Sequence, residues 1–312
     1  MRPTASRAYG LLVIVLMLVG VAACGNSENE TGGSQPQGLD LNVTLGTKNF
    51  DEQFILGELY KQALSAKGYK VTLRRNIGST EVIDGSLQRG EIDGYPEYLG
   101  VAATVLAHQD VAGKDAQQTY GLARDFYASR GQTISTQTRF ENVDAVATTV
   151  FFAQRHGLSS LADLRKLKHF TLGARPEFGD RVQGLQGMQS EYGLTNATLR
   201  PLAIGTQYSA LDRGDIDVAN VFSTDGQLAN GQYKVLEDPK RLFGYQHVAL
   251  VIDRAKLKRL GGDRFMNVID GLNARLTTPA LIEMNRAVSV EGLEPAAVAQ
   301  RFLSENGLVA RN

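Results

Sequence analysis

The chain repeats one short pattern, and this repeat constrains the fold more than any other feature of the sequence. IGS at residues 77–79 precedes LQRGEID at 87–93, and IGT at 204–206 precedes LDRGDID at 211–217. Each copy has the order of a strand, a glycine turn, a helix capped by Ser or Thr, a glycine stop and a second strand. We therefore predict two similar βαβ units.

An aromatic residue occupies the equivalent position after each copy, since Tyr98 follows the first and Phe222 the second. Ligands of open α/β sheets bind outside the carboxyl ends of the strands. Two such units that face each other would therefore place one ring on each side of a shared cleft. The alternative is that the units resemble each other by chance and that both rings belong to the core.

Strand-like and helix-like segments alternate from about residue 43 to 250. Apolar or alternating runs at 43–45 and 69–73 predict strands, and the apolar stripe over 55–66 predicts a helix. The remainder of the chain has a helical pattern. This order is typical of parallel sheets covered by helices, and 312 residues with 43% hydrophobic composition suffice for about two domains.

Charge and side-chain inventory exclude several classes of function. The 33 Lys and Arg residues balance 33 Asp and Glu, so nothing in the charge favours binding to nucleic acid. Cys24 is the only cysteine, and the four histidines have no metal-ligand spacing. We therefore expect no disulfide within the chain, no metal site, no cofactor and no nucleic-acid partner.

The N-terminal residues resemble the signal of bacterial lipoproteins. Two arginines precede an apolar stretch that is shorter than the ~20 residues of a membrane span but suits a signal peptide. VAAC, which ends at Cys24, resembles a lipobox, in which the cysteine becomes the lipidated N-terminus; the alternative is an ordinary secretory signal. We expect a signal peptide at 1–23, and the lipidated cysteine with a polar, flexible tether at 24–40.

Six segments in order over residues 43–308 carry a further resemblance. The most specific parts are GTKNFDEQ, which opens the segment at 46–64, and YPEY, within the segment at 76–100. The other segments are ENVDAVA at 141–147, GARPEFGDRVQG at 173–184, YSALDRGDIDVANVFSTDG at 208–226 and VLEDPKRLFGYQHVALV at 235–251. Together they resemble the substrate-binding proteins of osmoprotectant ABC importers, which take up glycine betaine, choline, carnitine and related quaternary ammonium compounds.

The resemblance implies an α/β, type II periplasmic-binding-protein fold with two lobes, a ligand cleft and a hinge. Lobe I would comprise residues 41–141 plus 247–312, and lobe II residues 142–246. Such proteins close around the ligand and present the closed form to the permease. The energy would come from a partner ATPase, in keeping with the absence of a GxxxxGK[ST] loop. The resemblance thus implies a monomeric binding protein, not an enzyme, anchored by lipid on the extracytoplasmic face of the bacterial membrane.

The family holds the trimethylammonium group in a box of aromatic rings. A quaternary ammonium cannot donate a hydrogen bond, and each well-placed ring face contributes ~0.5–2 kcal/mol. By motif, the box falls on Tyr98, Asp144, Phe222 and Tyr245. Two of these residues, Tyr98 and Phe222, are the equivalent positions of the internal repeat.

Asp144 departs from the aromatic residue that is usual at its position. A carboxylate there replaces a ring face by a full countercharge, which is several-fold stronger before desolvation is subtracted. It would favour a ligand with net positive charge, such as choline, or one with N–H donors. The alternative is that Asp144 points away and forms a cap or a salt bridge locally.

The carboxylate end of a zwitterionic ligand needs donors. The resemblance implies Lys48 and Arg181, and Arg181 could form a bidentate fork or pair instead with a neighbouring carboxylate at the surface. A hydroxyl expected after YPEY is replaced by Val101. Gln53 and Thr224 are further candidates for polar residues of the wall.

Alternatives to a small osmoprotectant remain. One is a larger betaine such as ergothioneine, and another is an aromatic or polyphenolic ligand stacked on the rings. A remote one is a hydrolase that uses Glu97 with Asp144 as an acid–base pair. No nucleophile–base pair or phosphate loop in the sequence supports an enzyme.

Overall fold

The structure is a computed structural model that describes residues 39–310. The predicted signal peptide, Cys24 and almost all of the predicted tether lie outside these residues. In the part of the chain that is described, no helix is both long and apolar enough to cross a membrane.

Strands and helices alternate along the described chain. The strands are β1 (Asn42–Gly46), β2 (Lys70–Arg74), β3 (Gly94–Tyr98), β4 (Gln132–Ile134), β5 (Asp144–Thr149), β6 (Phe170–Ala174), β7 (Ala197–Pro201), β8 (Val218–Phe222), β9 (Tyr233–Leu236) and β10 (Val248–Asp253). The helices are α1 (Asp51–Ser65), α2 (Thr80–Gln88), α3 (Leu99–Val101), α4 (Ala116–Ser129), α5 (Val150–His156), α6 (Leu185–Tyr192), α7 (Gln207–Asp212), α8 (Arg254–Arg259), α9 (Asp263–Asn273), α10 (Thr278–Ser289) and α11 (Pro295–Glu305). A π-helical turn over Ala102–Leu106 follows α3, and short 3-10 helices cover Leu161–Lys166, Pro176–Asp180 and Gly226–Asn230.

The strands form two five-stranded sheets of the same design. Sheet A has the order β2-β1-β3-β10-β4, and sheet B has the order β7-β6-β8-β5-β9. In each sheet the first three strands are parallel, and the fourth is antiparallel to both of its neighbours. The chain leaves sheet A after β4 and returns to it with β10, which makes two crossovers. The predicted α/β class is confirmed, while the lobe boundaries stay a prediction.

The internal repeat has the same structural role in both sheets. The carboxylate of Asp93 accepts a hydrogen bond from the backbone N–H of Thr44 in β1 at 2.7 Å, and Asp217 does the same with Thr171 in β6 at 2.7 Å. The glycine that follows each helix is left-handed, with φ of +70° in the first copy and +71° in the second. The repeated aspartate therefore ties each βαβ unit to its neighbouring parallel strand.

Helix α1 is the central element of the core beside sheet A. Ile55, Leu56 and Leu59 are fully buried, and the C-terminal helices α9, α10 and α11 pack against α1. The Tyr60 hydroxyl of α1 donates to the Asn273 side chain of α9 at 2.8 Å. Burial of each large apolar side chain stabilises the fold by ~1.5–3 kcal/mol. This packing fixes the first turn of α1 at the carboxyl edge of sheet A.

Candidate ligand-binding cleft

A cavity lies between the carboxyl ends of strands from the two sheets. Tyr98 ends β3 and Phe222 ends β8, while Asp144 opens β5 as the ladder partner of Phe222. All three residues line the cavity. Together with its open mouth, it has a volume of about 460 Å³. Side chains from both sheets therefore line the cleft.

A third ring, Phe50, stands between the two rings of the internal repeat. Its ring centroid lies 6.1 Å from that of Tyr98 with an interplanar angle of 24°, and 5.7 Å from that of Phe222 with an angle of 14°. Phe50 is the residue that precedes α1. Sequence reasoning missed it, although it lies in the GTKNFDEQ segment that supplied Lys48. The three rings form one stack that spans the cleft.

The Tyr98 hydroxyl is held from below by a buried carboxylate. It donates to Oε1 of Glu52, in the first turn of α1, at 2.8 Å. Burial raises the pKa of Tyr98 well above its ordinary value, and the charge of Glu52 raises it further. The phenol is therefore neutral and offers its ring face to the cavity.

Asp144 has its charge paired within the protein. Both of its oxygens accept from the Arg175 guanidinium, at 2.6 and 2.8 Å, and Asn220 donates to Asp144 at 2.8 Å. The two charged side chains are only 8% and 6% exposed. Burial opposes the charge of Arg175, but Asp144 more than offsets this, so the pKa of Arg175 is raised. Asp144 thus lines the cavity but forms a local salt bridge, as in the alternative interpretation of the sequence.

Lys48 also lines the cavity, and its charge is also paired within the protein. Its ammonium contacts the Glu97 carboxylate, donates to the Thr80 hydroxyl at 2.7 Å and lies 4.9 Å from the Tyr98 ring centroid. Both members of the pair are buried. Burial lowers the pKa of Lys48 and raises that of Glu97, because neither charge is solvated.

Arg181 is a further cation of the cavity wall, and fewer of its donors have partners within the protein. One of its terminal nitrogens donates to Glu81, a residue of α2, at 3.3 Å, and the Arg181 side chain is 11% exposed. Among residues 39–310, its Nε is buried and has no hydrogen-bond partner. Arg181 therefore keeps a donor that a bound anionic group could use.

The profile of one protein family matches residues 42–305, which is most of the chain. That family is the substrate-binding domain of ABC-type glycine betaine transport systems. The chain belongs to this family.

Known relatives of this glycine betaine transport family match the chain over most of its length. The glycine-betaine-binding protein of Pseudomonas aeruginosa is 29% identical over 308 residues, which cover 95% of this chain and 94% of that protein. The glycine betaine-binding protein YehZ of Escherichia coli is 27% identical over 278 residues, covering 85% and 90%.

The fold is also that of solved relatives. A crystal structure of a glycine betaine/carnitine/choline ABC transporter protein matches with a TM-score of 0.69 and 26% identity, over 85% of this chain and 99% of that one. The predicted two-lobe, type II periplasmic-binding-protein fold is confirmed.

Three residues that were candidates for the site from the sequence lie outside the cavity lining. Tyr245 lines a second cavity, where its hydroxyl accepts from Arg241 at 2.8 Å. Gln53 is buried in α1 and donates to the Pro96 carbonyl at 3.2 Å. Thr224 is fully buried and donates to Glu52 at 2.6 Å. Gln53 and Thr224 are absent from the cavity lining and support residues that form it.

The residues that sequence reasoning missed are Phe50, Glu52, Arg175 and Asn220. All except Arg175 lie within two residues of a position that was considered for ligand contacts: Phe50 near Lys48, Glu52 next to Gln53, and Asn220 near Phe222. Their partners are distant in sequence, so only the folded chain brings them together. Across residues 39–310, no cluster of three or more His, Cys, Asp or Glu side chains could hold a metal.

Proposed function

We propose that the protein captures a zwitterionic quaternary ammonium compound, such as glycine betaine or carnitine, for an ABC importer. The observation that carries this proposal is the ring stack of Tyr98, Phe50 and Phe222 beside the Nε donor of Arg181, which has no partner among residues 39–310. Ring faces attract an ammonium group that cannot donate hydrogen bonds. A guanidinium donor binds the carboxylate at the other end.

The pairing of Asp144 favours a zwitterion over a simple cation. A carboxylate that already accepts two hydrogen bonds from Arg175 offers little net countercharge to a ligand. A ligand with net positive charge would also meet Arg175, whose guanidinium lies 5.3 Å from the Phe222 ring centroid. Choline should therefore bind more weakly than glycine betaine, contrary to what an unpaired Asp144 would favour.

The position of the Phe50 ring supports a mechanism in which the protein opens and closes. Phe50 lies between the Tyr98 and Phe222 rings, with centroid distances of 6.1 and 5.7 Å, so a side chain occupies the space between those two rings. The ligand therefore enters when the two halves separate or when the Phe50 ring turns aside, and it is enclosed when they close again. The closed form is then delivered to the permease, whose partner ATPase drives transport.

The location and assembly of the protein follow the same proposal. It acts on the extracytoplasmic face of the bacterial membrane, as a monomer held through lipid on Cys24. Labelling of cells with a fatty acid analogue tests the anchor. A Cys24→Ser variant that still carries label would contradict it.

The carboxylates considered for an acid–base pair have other partners. Glu97 contacts Lys48, and Asp144 is held by Arg175. Neither is free to move a proton to or from a substrate without losing its cation. This supports binding rather than hydrolysis.

Thermal unfolding of the purified protein against a ligand panel tests the proposal. The panel holds glycine betaine, carnitine, proline betaine, choline and ergothioneine, with a polyphenol and free amino acids as controls. A ligand at ~100 times its dissociation constant adds ~2.7 kcal/mol, enough to raise the midpoint by a few degrees. We expect the betaines to shift the midpoint most. A shift with the polyphenol alone would contradict the proposal and favour a site rebuilt for aromatic ligands.

A further inference from the structure

Glu52 is a buried carboxylate that accepts hydrogen bonds from four side chains. Oε1 accepts from the Tyr98 hydroxyl and the Asn142 amide, each at 2.8 Å. Oε2 accepts from the Thr224 hydroxyl at 2.6 Å and the Asn285 amide at 2.8 Å. We call these five residues the Glu52 network. Glu52 itself is only 4% exposed.

A carboxylate suits this position because every partner donates. An ionised carboxylate is acceptor-only and has about four lone-pair sites, which the four donors fill. None of the donors is a cation, so the charge is stabilised by hydrogen bonds and by the first turn of α1, where the helix dipole favours negative charge. The acceptor sites of Glu52 are thus filled by side chains, whereas the amide oxygens of Asn142 and Asn285 are buried and have no hydrogen-bond partner among residues 39–310.

The partners of Glu52 come from both halves of the molecule. Tyr98 ends a strand of sheet A, and Thr224 follows β8 of sheet B. Asn142 lies on the crossover between the sheets, and its backbone N–H donates to the Gln246 carbonyl of the return crossover at 3.1 Å. One carboxylate therefore joins a ring of the cleft, a crossover and the opposite half.

A close contact beside Thr224 reinforces this junction. Asn285 donates to the Thr224 carbonyl at 2.9 Å as well as to Glu52. Helix α10 also approaches the 3-10 helix that follows Thr224. A Cβ added to Gly226 of that helix would lie 2.5 Å from the backbone nitrogen of Arg286 in α10. The Thr224 arm of the network is therefore held against a helix that packs on α1.

We propose that Glu52 is a positioning residue that couples closure of the two halves to the placement of the Tyr98 ring. When the halves close, Thr224 completes one side of the carboxylate, and the other side holds the Tyr98 hydroxyl. Glu52 does not touch the ligand. The inference rests on the proposed function, because the ring it places is the one assigned to the ammonium group.

Thr224→Val tests the coupling with little change in side-chain shape, and Thr224→Ser is the matched control that keeps the hydroxyl. Thr224 is absent from the cavity lining, so a direct ligand contact is not removed. We expect Thr224→Val to weaken glycine betaine, carnitine and choline by one common factor, on the order of tenfold, as for one hydrogen bond to a charged group. Thr224→Ser should restore most of the affinity. Losses that differ between the ligands would mean direct contact and overturn the inference.

Closure is measured separately, without ligand, so that failure of the proposed ligand class remains distinguishable. Val82 and Val182 are 49% and 61% exposed and flank the Glu81–Arg181 contact across the cleft. Spin labels on Val82→Cys and Val182→Cys, in a chain with Cys24→Ser, report the separation of the halves. We expect Thr224→Val to populate longer distances than Thr224→Ser.

Unchanged label distances in folded Thr224→Val would overturn the inference whether or not any ligand binds. If the distances lengthen but no quaternary ammonium compound binds to the unaltered chain, the proposed function fails and the closing role of Glu52 stands. A cycle of Tyr98→Phe and Glu52→Gln then tests the other arm through unfolding free energies. Additive losses in that cycle would exclude coupling between Glu52 and the Tyr98 hydroxyl.

Discussion

The ion pair between Asp144 and Arg175 decides how the cleft treats charged ligands, and a double-mutant cycle tests it. The variants are Asp144→Asn, Arg175→Met and the double variant. Each single change leaves one buried charge without its fork partner, although Asn220 still contacts the remaining side chain. Breaking a buried pair in this way costs roughly 3–5 kcal/mol. We expect losses of unfolding free energy near the lower end, about 3 kcal/mol each, because Asn220 remains.

The double variant removes both charges, so its loss should be well below the sum of the single losses. We expect a coupling free energy of about 2 kcal/mol or more, in the range found for residues in direct contact. Urea denaturation of the ligand-free proteins at neutral pH measures it, provided the m-values agree. Losses that add to within about 0.5 kcal/mol would refute the pairing.

The same proteins test the consequence for ligand choice. Arg175→Met frees the Asp144 carboxylate, so choline should gain affinity relative to glycine betaine. Two charges about 5 Å apart interact by roughly 3 kcal/mol at an effective dielectric constant of 20, before desolvation is subtracted. We therefore expect the choline-to-betaine affinity ratio to rise at least ~10-fold, for which about 1.4 kcal/mol suffices. An unchanged ratio would show that Asp144 does not face the ligand.

Three further predictions concern the rings, one buried acid and one close backbone contact. Tyr98→Ala and Phe222→Ala should each weaken betaine binding by at least ~0.5–2 kcal/mol, the contribution of one ring face, while the circular dichroism spectrum stays native. Unchanged affinity of both variants in calorimetry would exclude the aromatic box. Burial raises the pKa of Asp225 to about 7. The folded state therefore keeps the proton that the unfolded state loses near pH 4, so the unfolding free energy should fall as the pH rises from ~4 to ~7, by up to ~1.4 kcal/mol per pH unit. Asp225→Asn should flatten this component of the pH profile, and an identical profile would contradict it. Gly226→Ala should lower the unfolding free energy by ~1–3 kcal/mol through overpacking, whereas Gly121→Ala, in open space on α4, should be neutral or slightly stabilising. Equal thermal midpoints for the two variants would contradict the close contact between Gly226 and α10.

The architecture could be predicted from sequence because its signals are local or repeated. The two LxRGxID segments carry their own turn, stop and aspartate, and both aspartates make the same hydrogen bond to a neighbouring strand. The equivalent ring positions, Tyr98 and Phe222, line one cavity for the same reason. A repeated sequence pattern fixes repeated geometry, so these features needed no long-range information.

The pairing within the cleft could not be predicted because it joins residues that are far apart in sequence. In the sequence, Asp144 suggests a free countercharge. Only the fold brings Arg175, which follows β6, into contact with it. The four donors to Glu52 are spread from residue 98 to residue 285. Phe50 gives no local sign of the side to which its ring turns. Side-chain partners chosen by tertiary packing leave no periodic trace.

Titration calorimetry of glycine betaine and choline into the purified protein tests the central claim most directly. The account predicts saturable binding of one glycine betaine per chain, with choline bound more weakly because Asp144 is held by Arg175. Tighter binding of choline, or no binding of any quaternary ammonium compound, would contradict it.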